Sequence, residues 1–169
     1  MILYIVYENH TRNKELLKYA QTDALTGLYN KETTEQLTDE LLSEDENKSH
    51  AFLILDVDCF KQINDIYGHA VGDIVLQKFG KLLKGTFREG DILGRIGGDE
   101  FGVIMKNIQT KDIAMKKAGE LLAKTQAYRI DELKGNNISI SIGISTAPQD
   151  GDCYMAVSYT HLTLPTKRI

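Results

Sequence analysis

Tryptophan is absent from this 169-residue chain, and only two prolines and two cysteines occur in it. Two thiols, Cys59 and Cys153, cannot build a disulfide framework, which excludes the small cross-linked secreted scaffolds and suits a reducing compartment. A basic surplus is missing too: 20 Lys and Arg against 24 Asp and Glu leave a net charge of −4, so nothing argues for nucleic acid as a partner. No apolar run reaches membrane-spanning length. Met1 to Tyr7 is nearly all apolar, but such a stretch cannot cross a bilayer and no basic segment precedes it, so the expected location is cytoplasmic. What is present is ordinary: 42% hydrophobic and 26% charged residues, enough chain for one globular domain and incompatible with wholesale disorder.

The polar stretch from Asn9 to Ala20 carries Leu16, Leu17 and Tyr19 at helical spacing and predicts a short helix. QTDALTGLYN (Gln21 to Asn30) breaks it, and a second helix is expected from about Lys31 to Leu42, ending in the charged loop SEDENKSH. AFLILD (Ala51 to Asp56) has strand length and stops abruptly at acids. A short helix follows over Phe60 to Tyr67, closed by Gly68, and then an amphipathic one from about Ala70 to Phe87 with Val71, Ile74, Val75, Phe79, Leu82 and Leu83 inward. Asp91 to Ile96 and Phe101 to Ile108 read as strands joined by GGDE, a strong hairpin signal. A helix over Asp112 to Tyr128, with Ile113, Met115, Ala118, Leu121 and Leu122 inward, precedes a half-buried strand over Ile138 to Ala147. The order after the first helices is β, α, β, β, α, β. It predicts an α+β fold of the ferredoxin-like βαββαβ type, with a central antiparallel sheet and flanking helices.

Asp56 and Asp58 end a buried strand with their side chains on one face, since strand side chains alternate. For Asp58 the favoured role is a cap on the helix that begins at Cys59. For Asp56 it is a hard cation, because a strand-end acid has no helix of its own to cap. Asp99 and Glu100 at the hairpin tip could form a mere solvated turn. Gly97 and Gly98, however, allow close backbone approach to a bulky anion, and a neighbouring strand can bring both acids beside Asp56. Three such acids repel one another unless a divalent ion sits among them, and Mg²⁺ so held keeps sites for water and phosphates. In FKQINDIYGHAVGD, Asn64 and Asp73 have the acceptor and donor types that fit a guanine edge. The helix start at Cys59-Phe60 directs N–H groups at a phosphate near the metal. Taken singly, Asp73 reads better as a helix N-cap after Gly72, and His69 as a loop hydrogen-bonding residue.

DALTGLYN (Asp23 to Asn30), DVDCFKQINDIYGHAVGD (Asp56 to Asp73) and RIGGDEF (Arg95 to Phe101), in this order, resemble the GGDEF-domain family of diguanylate cyclases. The likeness runs from about Thr22 to Cys153. It implies a nucleotidyl-cyclase palm that condenses two GTP into cyclic di-GMP and two pyrophosphates across an antiparallel homodimer. By the family pattern Asp56, the Val57 carbonyl, Asp99 and Glu100 would hold Mg²⁺ or Mn²⁺, and Asp99 would help deprotonate the attacking hydroxyl. Asn64 and Asp73 would read guanine. Lys61 and the backbone near Cys59 and Phe60 would hold phosphates, with His69, Gly97 and Gly98 also lining the substrate site. Arg88 and Asp91 form an RxxD at the family's offset from GGDEF, where product binds and inhibits. An RxxD by itself is a common surface ion pair.

The resemblance also sets expectations for the ends. Residues 1–20 resemble the end of a membrane span plus a signalling helix of a larger sensor, and 21–154 form the cyclase domain. In place of the family's last helix, of the type ADxALYxAKxxGRN, and last strand stands CYMAVSYTHLTLPTKRI, so 155–169 read as a foreign tail. The alternative to an active cyclase is therefore a non-enzymatic cyclic di-GMP or GTP-binding module, or an inactive truncated fragment.

Overall fold

A computed structural model of the chain describes residues 20–44, 48–156 and 158. The helix expected over Asn9 to Ala20 and most of the tail lie outside the described residues. The elements are α1 (Lys31–Glu44), β1 (His50–Val57), α2 (Phe60–Tyr67), α3 (His69–Lys84), β2 (Ile92–Arg95), β3 (Glu100–Met105), α4 (Lys111–Ala127) and β4 (Ile140–Ala147). A single 3₁₀ turn, Asp131–Leu133, links α4 to β4. No described helix is long and apolar enough to cross a membrane.

The four strands form one sheet in the order β2-β3-β1-β4, every neighbouring pair antiparallel. This is the split βαββαβ arrangement that the element order predicts. Central β1 reads as a near-continuous apolar run because both of its faces are covered. Ala51, Leu53, Leu55 and Val57 join the larger core, with α3 and α4 supplying Val75, Phe79, Leu83, Ala118 and Leu121. Phe52 faces the other way, into a smaller cluster with Ile92, Ile104 and Tyr154, against which Leu37 and Leu41 of α1 pack.

The buried stripe of α3 (Gly72, Val75, Leu76, Phe79, Gly80, Leu83) follows the expected helical spacing. That of α4 does not follow the expected residues. Its buried positions are Ala114, Ala118, Leu121 and Thr125, while Ile113 and Met115 are exposed and Leu122 is only partly covered. The helix lies close on the sheet, and small residues rather than large ones permit that approach. Boundaries shift by a few residues elsewhere. At Ala70 to Phe87 the helix begins at His69 and ends at Lys84, leaving Thr86 and Phe87 buried in the following turn, and the strand expected over Phe101 to Ile108 likewise runs from Glu100 to Met105.

Candidate functional site

The site grows from the end of β1. Asp56 stands opposite Glu100 of β3 on one side and Ser141 of β4 on the other. The hairpin tip between β2 and β3 bends back onto this point, where the Val57 N–H donates to the Asp99 carbonyl at 3.2 Å. Phe101, fully buried, meets the Phe79 ring edge-on at 4.9 Å and pins the start of β3 beneath the acids. Gly97 lies close under Glu100: a Cβ there would come within 2.7 Å of a Glu100 carboxylate oxygen and would make that side chain move. Gly98 faces open space.

Electrostatics mark the same point. Burial raises the Asp56 carboxyl above the usual carboxylate range, and the Asp99, Glu100 and Asp58 charges push it further in that direction. Among the described residues no three histidine, cysteine or carboxylate side chains converge into a finished metal cage. The donor types nevertheless suit a hard divalent ion, since the groups whose charges act on Asp56 are all carboxylates that repel it. Tyr154, absent from the sequence-based candidates, lies within reach of this field. Its phenol is pushed up to about 12 by burial and by the Glu35, Glu100 and Asp39 carboxylates.

The hairpin is clamped from outside. Arg95 donates to the Gly98 carbonyl through Nη2 at 2.7 Å and Nε at 3.1 Å, and pairs with Asp23 at 3.2 Å through Nη1. Asp23 in turn accepts from the Thr26 amide at 2.8 Å and the Thr26 hydroxyl at 2.7 Å. Burial works to raise the Asp23 carboxyl, but the Thr26 hydrogen bonds and the Arg95 guanidinium outweigh it and hold it below the usual range. The turn of DALTGLYN is thus what fixes the GGDE loop. Sequence reasoning singled out both segments but not this contact, which joins residues 72 positions apart.

After Val57 the chain turns through Cys59, in the left-handed region at φ 57°, into α2. Lys61 is exposed on its first turn. The Phe60 and Lys61 N–H groups meet no acceptor among the described residues. Gly68, at φ 87°, joins α2 to α3, and its positive φ requires glycine. Where the helices run side by side, the Asn64 amide oxygen occupies the space a Cβ on Gly72 would need. Asp73 is exposed at the next position of α3, and His69 is exposed as that helix's first residue. Asp73 lies inside α3, so it is not an N-cap. Asp58 also departs from expectation. No side chain caps α2, and the Asp58 carboxylate accepts from Ser139 and from Ser141, the latter at 2.6 Å.

Arg88 and Asp91 lie apart from this group, at the turn entering β2. Arg88 Nε donates to Asp91 at 3.0 Å, and the same carboxylate oxygen accepts from the Lys106 N–H at 3.1 Å. Arg88 also donates to the Lys106 carbonyl. The Asp91 side chain is only 3% exposed, against 61% for Arg88. Hollows of about 690 and 530 Å³ flank the pair, the first lined by Tyr29, Lys84, Phe87 and Leu93 and the second by Met105, Ile108 and Lys117.

Comparison with known proteins agrees with this geometry. Residues 20–158 match the family model described as "Diguanylate cyclase, GGDEF domain". Diguanylate cyclase TpbB of Pseudomonas aeruginosa is 36% identical over 143 residues, covering 83% of this chain and 33% of that protein. Response regulator PleD of Caulobacter vibrioides is 34% identical over 153 residues, covering 86% and 34% respectively. The chain therefore spans about a third of the length of these curated relatives. A solved structure of the isolated GGDEF domain of TpbB superposes with a TM-score of 0.76 at 33% identity, covering 82% of each chain. With its sheet order, its acid-tipped hairpin and these matches taken together, the chain belongs to the GGDEF-domain family of diguanylate cyclases.

Proposed function

We propose that this chain is the catalytic domain of a cytoplasm-facing diguanylate cyclase, which joins two GTP molecules into cyclic di-GMP and releases two pyrophosphates. The observation that carries the reading is the open acid cluster: Asp56 faces Glu100 across the strands, with the Asp99 backbone tied to Val57. A Mg²⁺ or Mn²⁺ ion held by Asp56, the Val57 carbonyl, Asp99 and Glu100 supplies neutralisation of phosphate charge. The N–H groups of Phe60 and Lys61 and the Lys61 ammonium bind the triphosphate, while Asn64 and Asp73 orient guanine between α2 and α3. His69, Gly97 and Gly98 complete the substrate surface.

One such site holds one GTP, so two copies face each other in an antiparallel homodimer. The 3′-oxygen of one GTP attacks the α-phosphorus of the other, and the bond to the departing pyrophosphate breaks in line. Asp99 accepts the hydroxyl proton, a transfer that requires its carboxylate within hydrogen-bond reach of that oxygen. Product inhibits by binding at Arg88 and Asp91. The second reading, a module that binds cyclic di-GMP or GTP without turning GTP over, rests on the same two hollows flanking that pair, which offer room for a ligand under either reading.

GTP turnover with Mg²⁺ separates the two readings. This chain makes little product, because Met155 to Ile169 stand where the family carries its cationic last helix. Deleting Val157 to Ile169 leaves that residual rate unchanged, and restoring a helix of the family's type raises it by orders of magnitude. No rise on restoration supports the binding module.

A further inference from the structure

Asp58 immediately precedes the first turn of α2 by way of Cys59, and aspartate is among the strongest caps for a helix start. It does not cap. Its carboxylate is instead engaged by the hydroxyls of Ser139 and Ser141, and its own N–H donates to the Ser139 carbonyl at 3.0 Å. Ser141 is also the cross-strand partner of Asp56, so β4 acts as a bracket on the end of β1. Released from these hydroxyls, the Asp58 carboxylate, one residue before the Cys59 N-cap, becomes free to turn toward the α2 N–H groups. A carboxylate there would compete with a phosphate for the same donors and repel it by its charge.

On the reading of this site as a GTP site, we propose that Ser139 and Ser141 are positioning residues. They hold the Asp58 carboxylate away from the start of α2 and so keep the Phe60 and Lys61 N–H groups open for the triphosphate. The device joins residues 81 and 83 positions apart, and none of its three side chains is among those assigned to guanine.

The test is a double-mutant cycle read by binding of Mg²⁺ with 3′-deoxy-GTP, which cannot react, and separately by binding of guanosine. The Ser139→Ala/Ser141→Ala variant weakens nucleotide affinity by about tenfold as Asp58 swings onto the helix. Adding Asp58→Ala to that variant recovers most of the loss, since the competing carboxylate is gone. Guanosine affinity stays the same in the serine and Asp58 variants, because the effect acts on phosphate alone. Failure of the triple variant to recover affinity overturns the proposal and makes Asp58 a simple strut. An undiminished affinity in the serine variant overturns it as well. Thermal melting checks that each variant folds, and Ser141→Ala alone serves if the pair does not. Asp56→Ala and Asn64→Ala are run alongside: if they leave nucleotide affinity intact, the GTP-site reading itself fails, independently of the serines.

Discussion

Replacing Asp91 by alanine removes more than a ligand-binding group. The carboxylate is nearly inaccessible and bridges Arg88 to the Lys106 backbone, so it ties the turn entering β2 to the segment leaving β3. Alanine leaves the half-buried Lys106 N–H without its acceptor, a loss of about 1–3 kcal/mol. The ion pair adds little, because Arg88 is mostly in solvent and its partner charge is screened. Taking about 2 kcal/mol in total, with about 2–4 °C per kcal/mol at this chain length, the melting temperature falls by roughly 4–8 °C. Asp91→Asn keeps an oxygen to accept from Lys106 and falls by less than half as much. Scanning calorimetry measures both, and the asparagine variant, being closer to wild type in stability, is the better one for cyclic di-GMP binding. It loses product binding and retains GTP binding if the inhibitory assignment holds. An alanine variant that melts within a degree of wild type would refute the structural argument.

Glycine spacing offers a second check. A Cβ on Gly94 would sit 2.9 Å from both the Cβ and Cγ2 of the fully buried Thr34, so Gly94→Ala must displace α1 from β2 and costs about 1–3 kcal/mol in urea unfolding. Gly98→Ala meets nothing within 4 Å and stays within about 0.5 kcal/mol, and equal losses at the two sites would contradict this packing. Asp23 is held below the usual carboxylate range when folded, so its contribution is present above the unfolded-state value and is lost as pH falls through the folded one. Asp23→Asn is therefore less stable than wild type at neutral pH, and the gap closes in acid. A gap independent of pH rules out the Arg95 clamp as its source.

Much of the site could be read from the chain because its signals are local. An apolar run ending in Asp56, and two glycines before two acids, each fit within ten residues. The strand pairing that brings them together follows from the βαββαβ order. What could not be read depends on partners distant in sequence. Asp58 has a helix beside it in sequence, yet its carboxylate is bound by Ser139, just before β4, and by Ser141 within it. Arg95 and Asp23 meet only because the first turn docks against β2, where Tyr29 N–H donates to the Leu93 carbonyl at 3.0 Å. The inner face of α4 was obscured for another reason. Hydrophobicity selects Ile113 and Met115, whereas close packing selects Ala114 and Ala118, and the spacing 114, 118, 121, 125 carried the helical stripe.

The most direct test of the acid cluster is the Mg²⁺-dependent affinity for GTP in Asp99→Ala and Glu100→Ala, measured with the melting temperature of each variant. Both acids lie at a hairpin tip, and Glu100 is exposed, so the fold survives and loss of a repelling charge leaves the metal-free protein equally or slightly more stable. The account predicts that metal-dependent binding disappears in both. GTP affinity that remains metal-dependent and undiminished in both variants would contradict it.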